Sequence, residues 1–163
     1  MAAVSLLCLA FPLRAQPDPD SVTAHNQRLL SQVGDSLRVV LSANWEFNRD
    51  LKQAGPETVL ARAAALRARC HAAGVVVRRA ESGIIDRGRG RVPLARVRQA
   101  LKRVEVALGE ECELAFGERG AGDRADTLRA WGPYRGQRLE KVIADYEEAA
   151  REFAEANGIK LDP

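Results

Sequence analysis

Aromatic residues are scarce in this chain: Phe, Trp and Tyr together make up 5% of its 163 residues. So few of them disfavour a sheet-rich fold, where aromatic and β-branched side chains concentrate. No apolar run reaches the roughly 18 to 20 residues that a membrane-spanning helix needs. Histidine occurs only at His25 and His71, and no CxxC, HxxxH or CxxCH spacing is present. Paired ligands of a zinc site and the attachment motif of covalent haem are therefore missing. Cys70, His71, Cys112 and Glu113 can be drawn together on paper, but adjacent residues on a helix point roughly 100° apart. The Glu-x-x-His ligand pattern of di-iron bundles is also absent. Neither a GxSxG elbow nor a GxxxxGK[ST] phosphate loop occurs. The glycines at Gly88 and Gly90, and at Gly117, Gly120 and Gly122, follow no strand and read as turns. No catalytic residue, metal ligand or cofactor is assigned.

What the chain does have is helix-forming material. Ala, Leu, Arg and Glu dominate, 46% of residues are apolar, and the net charge is +3. Such a chain is long enough for one domain with a sizeable core and too apolar to stay disordered. Four stripes of apolar residues recur at steps of three and four, the spacing of one helix face. The first is Leu30, Val33, Leu37, Val40, Asn44, Phe47, Leu51, on a helix expected over Val22 to Ala54 and stopped by Gly55-Pro56. Asn44 lies on that seam, where a polar residue tends to fix alignment. The second is Val59, Ala63, Leu66, Cys70, Ala73, Val77, Ala80, Ile84, on a helix continuing through Gly74. The third is Leu94, Val97, Leu101, Val104, Leu108, Cys112, Ala115, entered through Pro93.

The last stripe runs from Leu128 and Trp131 through Leu139, Ile143 and Tyr146 to Phe153. Asp123 or Asp126 is positioned to cap its start, and Asn157-Gly158 offers a stop. Gly132-Pro133 is expected to kink or break it, because proline removes a hydrogen bond and crowds the preceding turn. Trp131 and Tyr134 flank that point and are expected to pack over it or line a small pocket. The fold class that follows is all-α, an antiparallel up-down-up-down four-helix bundle spanning residues 22–158.

Residues 1–15 read as a secretory signal. An apolar stretch, Ala2 to Leu13, is followed by a small residue at Ala15 and a polar start at Gln16. Two departures are the lack of a Lys or Arg ahead of the stretch and the large Leu13. Residues 16–21 form a polar linker and 159–163 a C-terminal tail. Cleavage would remove Cys8 and leave Cys70 and Cys112. In an antiparallel pairing of helices two and three, level residues have a constant index sum; Cys70 and Cys112 give 182, centred on Arg91. The Gly-rich turn at Asp86 to Val92 lies at that centre. Both cysteines occupy apolar seams, so an oxidising compartment would let them bond as a Cys70–Cys112 disulfide. Closing about 42 residues is worth roughly 4 kcal/mol on the chain-entropy model.

Charge is unevenly spread. Residues 61–103 carry 12 basic and 2 acidic groups, while residues 104–163 carry 8 and 14. Arg87, Arg89, Arg91, Arg96 and Arg98 crowd the tip of the second hairpin, within a basic stretch from Arg78 to Arg103. They could serve a polyanion or a membrane surface. In a bundle, that tip shares its end with the acidic finish of helix four, which would neutralise much of it. No aromatic residues interleave with the arginines to stack bases, and export removes most nucleic-acid partners. The leading expectation is an exported, periplasmic or secreted, helical module that meets a protein partner in the cell envelope. The alternatives are a polyanion or membrane-surface binder and an enzyme with a small pocket near Trp131.

Overall fold

Proline and glycine mark where the helices begin and end. In the computed structural model, residues 18–86, 91–112 and 120–161 are described, residues 91, 111 and 112 by backbone alone. Among the described residues, all regular structure is helical. Helix α1 spans Pro19–Asn48, α2 Pro56–Gly83, α3 Arg91–Cys112 and α4 Ala121–Asn157. Pro19 and Pro56 open α1 and α2 at first-turn positions, where a missing N–H costs nothing. Asp18 caps α1 by accepting from the Asp20 N–H at 3.3 Å. Gly158 ends α4 in the left-handed region, with φ 64°, and its N–H and that of Ile159 close on the last-turn carbonyls.

Several expected boundaries move. Residues 19–21 belong to α1 rather than to a linker, because Asp18 supplies the cap. At its other end α1 stops at Asn48, not Ala54. Asp50 adopts φ 55°, a left-handed conformation that Asp tolerates, and starts a turn closed by Gln53 and Ala54 N–H groups on its carbonyl, each at 2.9 Å. Leu51 remains buried inside that turn. The N-cap of α4 is Gly120, with no side-chain capping bond, so neither Asp123 nor Asp126 caps it. Residues 1–15, and with them the signal sequence, lie outside the described residues.

Among the described residues each stripe is mostly buried, with Trp131 on the fourth left exposed. Val33, Leu37, Val40, Val59, Val77, Val97, Leu101, Leu128, Leu139, Ile143 and Phe153 are almost wholly enclosed. Among the described residues α1 packs on α2 and α4, and α3 on α2 and α4; α2 also touches α4, whereas α1 and α3 do not meet. The core sits between these four helices.

Helix α4 is not broken at Gly132-Pro133; it runs through both residues. The reason lies on α1. Gly132 and Gly136 are buried, and a Cβ on Gly132 would stand 2.7 Å from Phe47 Cε1. On Gly136 it would stand 2.8 Å from Asn44 Oδ1 and 2.9 Å from Asn48 Nδ2. The two glycines let α4 lie close against α1, and that packing holds the helix through a proline costing roughly 3 kcal/mol in a helix interior. Phe47 and Leu51 fill the space beside Gly132. Trp131 and Tyr134 therefore do not cover it: they are 57% and 62% exposed.

Two glycine substitutions should have opposite signs. Gly34→Ala meets nothing within 4 Å and should stabilise by about 0.5–1 kcal/mol. Gly132→Ala presses on a buried phenyl ring and should destabilise by about 1–3 kcal/mol. Urea denaturation of both variants checks the contrast.

Candidate functional site

The most densely bonded place outside the core is the end of α2. The last carbonyls of a helix have no partner within it and need one from elsewhere. Here three in succession find one. His25 on α1 donates from Nε2 to the Gly83 carbonyl at 3.0 Å. Arg98 on α3 donates from Nη2 to the Ile84 carbonyl at 2.8 Å. Asn26 on α1 donates from Nδ2 to the Ile85 carbonyl at 2.8 Å and accepts from the Ile85 N–H at 3.0 Å. Asn26 is fully buried, and both halves of its amide pair with the backbone of one residue, Ile85. His25 is thus a half-buried partner of α2, not the free surface residue its position near a helix start suggests. The other end of α2 is held similarly. Arg129 on α4 donates to the Leu51 and Ala54 carbonyls at 3.2 and 2.6 Å, and Arg62 donates to the Arg49 carbonyl at 2.6 Å.

Asn44, singled out from its place on the α1 seam, is buried and donates to Glu140 Oε1 on α4 at 3.0 Å. Asn48 donates to both oxygens of Asn44. This polar cluster aligns α1 with α4, the structural role that such a seam residue implies.

The basic residues divide into two groups. Arg87 and Arg89 lie outside the described residues, as does the side chain of Arg91. Arg96 and Arg98 are both engaged within the fold: Arg96 pairs with Glu152 on α4, 2.8 Å from Oε1 and 2.5 Å from Oε2, and Arg98 holds the Ile84 carbonyl. Arg78 meets Glu105 at 3.5 Å, and Lys102 donates to Glu105 at 2.6 Å. The Lys102 hydrogen bond holds the Glu105 carboxyl below its ordinary 4.5, outweighing the opposing effect of burial. The same bond holds Lys102 above 10.5. Glu110 meets Arg138 on α4 at 3.8 Å.

Cys70 is buried on the inner seam of α2, at 2% exposure. The side chain of Cys112 lies outside the described residues. Among the described residues no group of three or more His, Cys, Asp or Glu is placed to hold a metal ion, and no helix is long and apolar enough to cross a membrane. Tyr146 is enclosed in the core, where burial and the Glu147 charge push its phenol well above the usual range.

The space near Trp131 that the sequence suggested is taken by Phe47 and Leu51. A groove of about 280 Å³ lies elsewhere, between α3 and α4. Its floor is Ala100, Val142 and Ala149; Arg96 and Arg103 line one wall, Asp145 and Glu148 the other. On the solvent side, α2 carries a second apolar stripe, exposed at Ala61, Ala64, Ala68, Ala72 and Val75. Trp45, stacked under the Arg49 guanidinium at 5.1 Å, is 60% exposed. Comparison with protein-family models, curated proteins and solved structures finds no match.

Asn26→Ala should cost about 2–4 kcal/mol, because it leaves the Ile85 N–H and carbonyl without their partner. Amide exchange at Ile85 should speed up more than exchange at the centre of α2. The Glu105 contribution should depend on pH. A carboxyl lowered in the folded state stabilises above its unfolded value and loses that effect as pH falls through the folded one. Wild type should exceed Glu105→Gln by at most about 1 kcal/mol at neutral pH. The difference should shrink below pH 4.5, read by urea denaturation at several pH values.

Proposed function

We propose that the protein is an exported module of the cell envelope, periplasmic or secreted. In this reading it is an antiparallel up-down-up-down bundle, stapled between Cys70 and Cys112, that presents helix faces to a protein partner. Cross-helix bonds support the alternating directions, since antiparallel neighbours keep a constant index sum. Between α1 and α2, Asn26–Ile85 and Arg49–Arg62 both give 111. Between α3 and α4, Arg96–Glu152 and Glu110–Arg138 both give 248. Between α2 and α3, Ile84–Arg98 gives 182 and Arg78–Glu105 gives 183. Cys70 and Cys112 share the same 182. Cys70 is also not a free thiol, in keeping with a staple.

The observation that carries the interaction reading is the exposure of aromatic side chains in a chain that has few. Both tryptophans and Tyr134 are more than half exposed, at 60%, 57% and 62%. Trp and Tyr are the residue types that dominate binding energy at protein interfaces. Trp131 and Tyr134 stand three residues apart on α4 and so share a face. The apolar outer stripe of α2 is a second face of the same kind. The apolar segment at residues 2–13 supports export. A polyanion partner fits less well, because Arg96 and Arg98 are committed to Glu152 and Ile84.

The test expresses the full chain from its own start in an exporting host, without reductant. Export predicts a mature chain beginning near Gln16, lighter than the reduced form by two hydrogen atoms and free of reactive thiol. An uncleaved chain with all its thiols reactive overturns both export and staple. A photo-crosslinker placed at Trp131 should then give a discrete protein adduct that one at Asp35 does not. An exported chain giving no adduct from Trp131 overturns the interaction reading.

A further inference from the structure

We propose that the groove between α3 and α4 binds a small zwitterion, an amino acid or short peptide with free charged ends, its carboxylate on Arg103 and its ammonium between Asp145 and Glu148. The site is independent of the export reading and of the staple.

The seam between these helices is a ladder of charge pairs. Arg96 meets Glu152 at one rung and Glu110 meets Arg138 at another. The rungs are fourteen residues apart on each helix, and both have the index sum 248. Arg103 and Asp145 fall midway, seven residues from each, with the same sum. Register therefore puts them level, yet among the described residues neither forms an ion pair or hydrogen bond, and Glu148 forms none either. The middle rung is open where its neighbours are closed.

The floor explains the opening. Ala100 and Ala149 are small and, with Val142, give a short apolar floor to a groove of about 280 Å³ with charged walls. That is near the lower end of the range for ligand pockets, which limits the occupant to a small molecule. The chemistry of the walls limits it further. A guanidinium presents a planar fork of donors that matches a carboxylate in two parallel bonds. Asp145 and Glu148, three residues apart on one face of α4, offer carboxylate acceptors to the three donors of an ammonium. A plain anion would meet Asp145 and Glu148, and a plain cation would meet Arg96 and Arg103. A molecule carrying one charge of each sign, with a short apolar body, satisfies both walls and the floor.

The experiment is a titration of the isotopically labelled full chain with alanyl-alanine, followed by backbone amide shifts. Saturable shifts confined to residues 99–103 and 142–149 are expected, with none from the same dipeptide blocked at both ends. Arg103→Gln and Asp145→Asn should each weaken binding by about tenfold or more, the value of a charge-assisted hydrogen bond. Both side chains are exposed, and unchanged amide shifts elsewhere verify that each variant folds. Free alanine binding as tightly as the dipeptide assigns the site to amino acids; weaker binding assigns it to peptide ends. Absence of saturation by about 10 mM overturns the proposal, as does equal binding of the blocked dipeptide or unchanged binding by Arg103→Gln.

Discussion

The carbonyls of Gly83, Ile84 and Ile85 sit where α2 gives out and the chain turns toward α3. Buried without partners, each would cost as much as a lost hydrogen bond or more. Asn26, His25 and Arg98 supply those partners from two other helices. The amide of Asn26 holds both the N–H and the carbonyl of one residue, Ile85, so it fixes distance and direction together. A slip of α1 by one turn would bring another residue to Ile85 and strand the amide in an apolar core. Much of the helix alignment follows from this contact, since α2, like α4, touches all three other helices. At its opposite end Arg129 and Arg62 repeat the device on the carbonyls of the preceding turn. Apolar packing supplies the drive to assemble; these polar ends select which assembly.

Much of the fold was legible because helix periodicity is a local signal. Stripes such as Val33, Leu37, Val40 on α1 and Val97, Leu101, Val104 on α3 needed only the chain itself. Asn44 was legible too, as a polar residue on an apolar seam. Asn26 carries the same signal, lying four residues after Val22 and four before Leu30, one turn ahead of the stripe that starts at Leu30. His25 and Arg98 gave none, because their roles depend on a loop 58 and 14 residues away in sequence. Gly132-Pro133 shows local rules giving way to tertiary contact. Proline argues for a break, and what opposes it is a phenyl ring on α1, invisible from neighbouring residues.

The basic hairpin shows the same dependence on context. Counted along the chain, residues 61–103 resemble a surface for anions. Placed in the fold, Arg78 and Lys102 share Glu105, Arg96 takes Glu152 and Arg98 takes a carbonyl. Exposed pairs of this kind add little stability. They do offset part of the single-signed charge that linear counting implies, and they leave alternating signs along the α3–α4 seam. The candidate site was the least legible part of all, since it arises from one seam position where level charges do not meet.

The close contact of α4 with α1 has a kinetic side. Asn44 and Glu140 are 96 residues apart in the chain, whereas α2 ends at Gly83 and α3 begins at Arg91. Bringing distant segments together carries the larger loop-closure entropy, and contacts of long sequence separation slow folding. The seam where glycine allows the nearest approach is therefore the one whose closure carries the largest entropy cost. The first and last helices act as a clasp: until Gly132 and Gly136 seat on Phe47 and Asn44, the three earlier helices expose one side of their core.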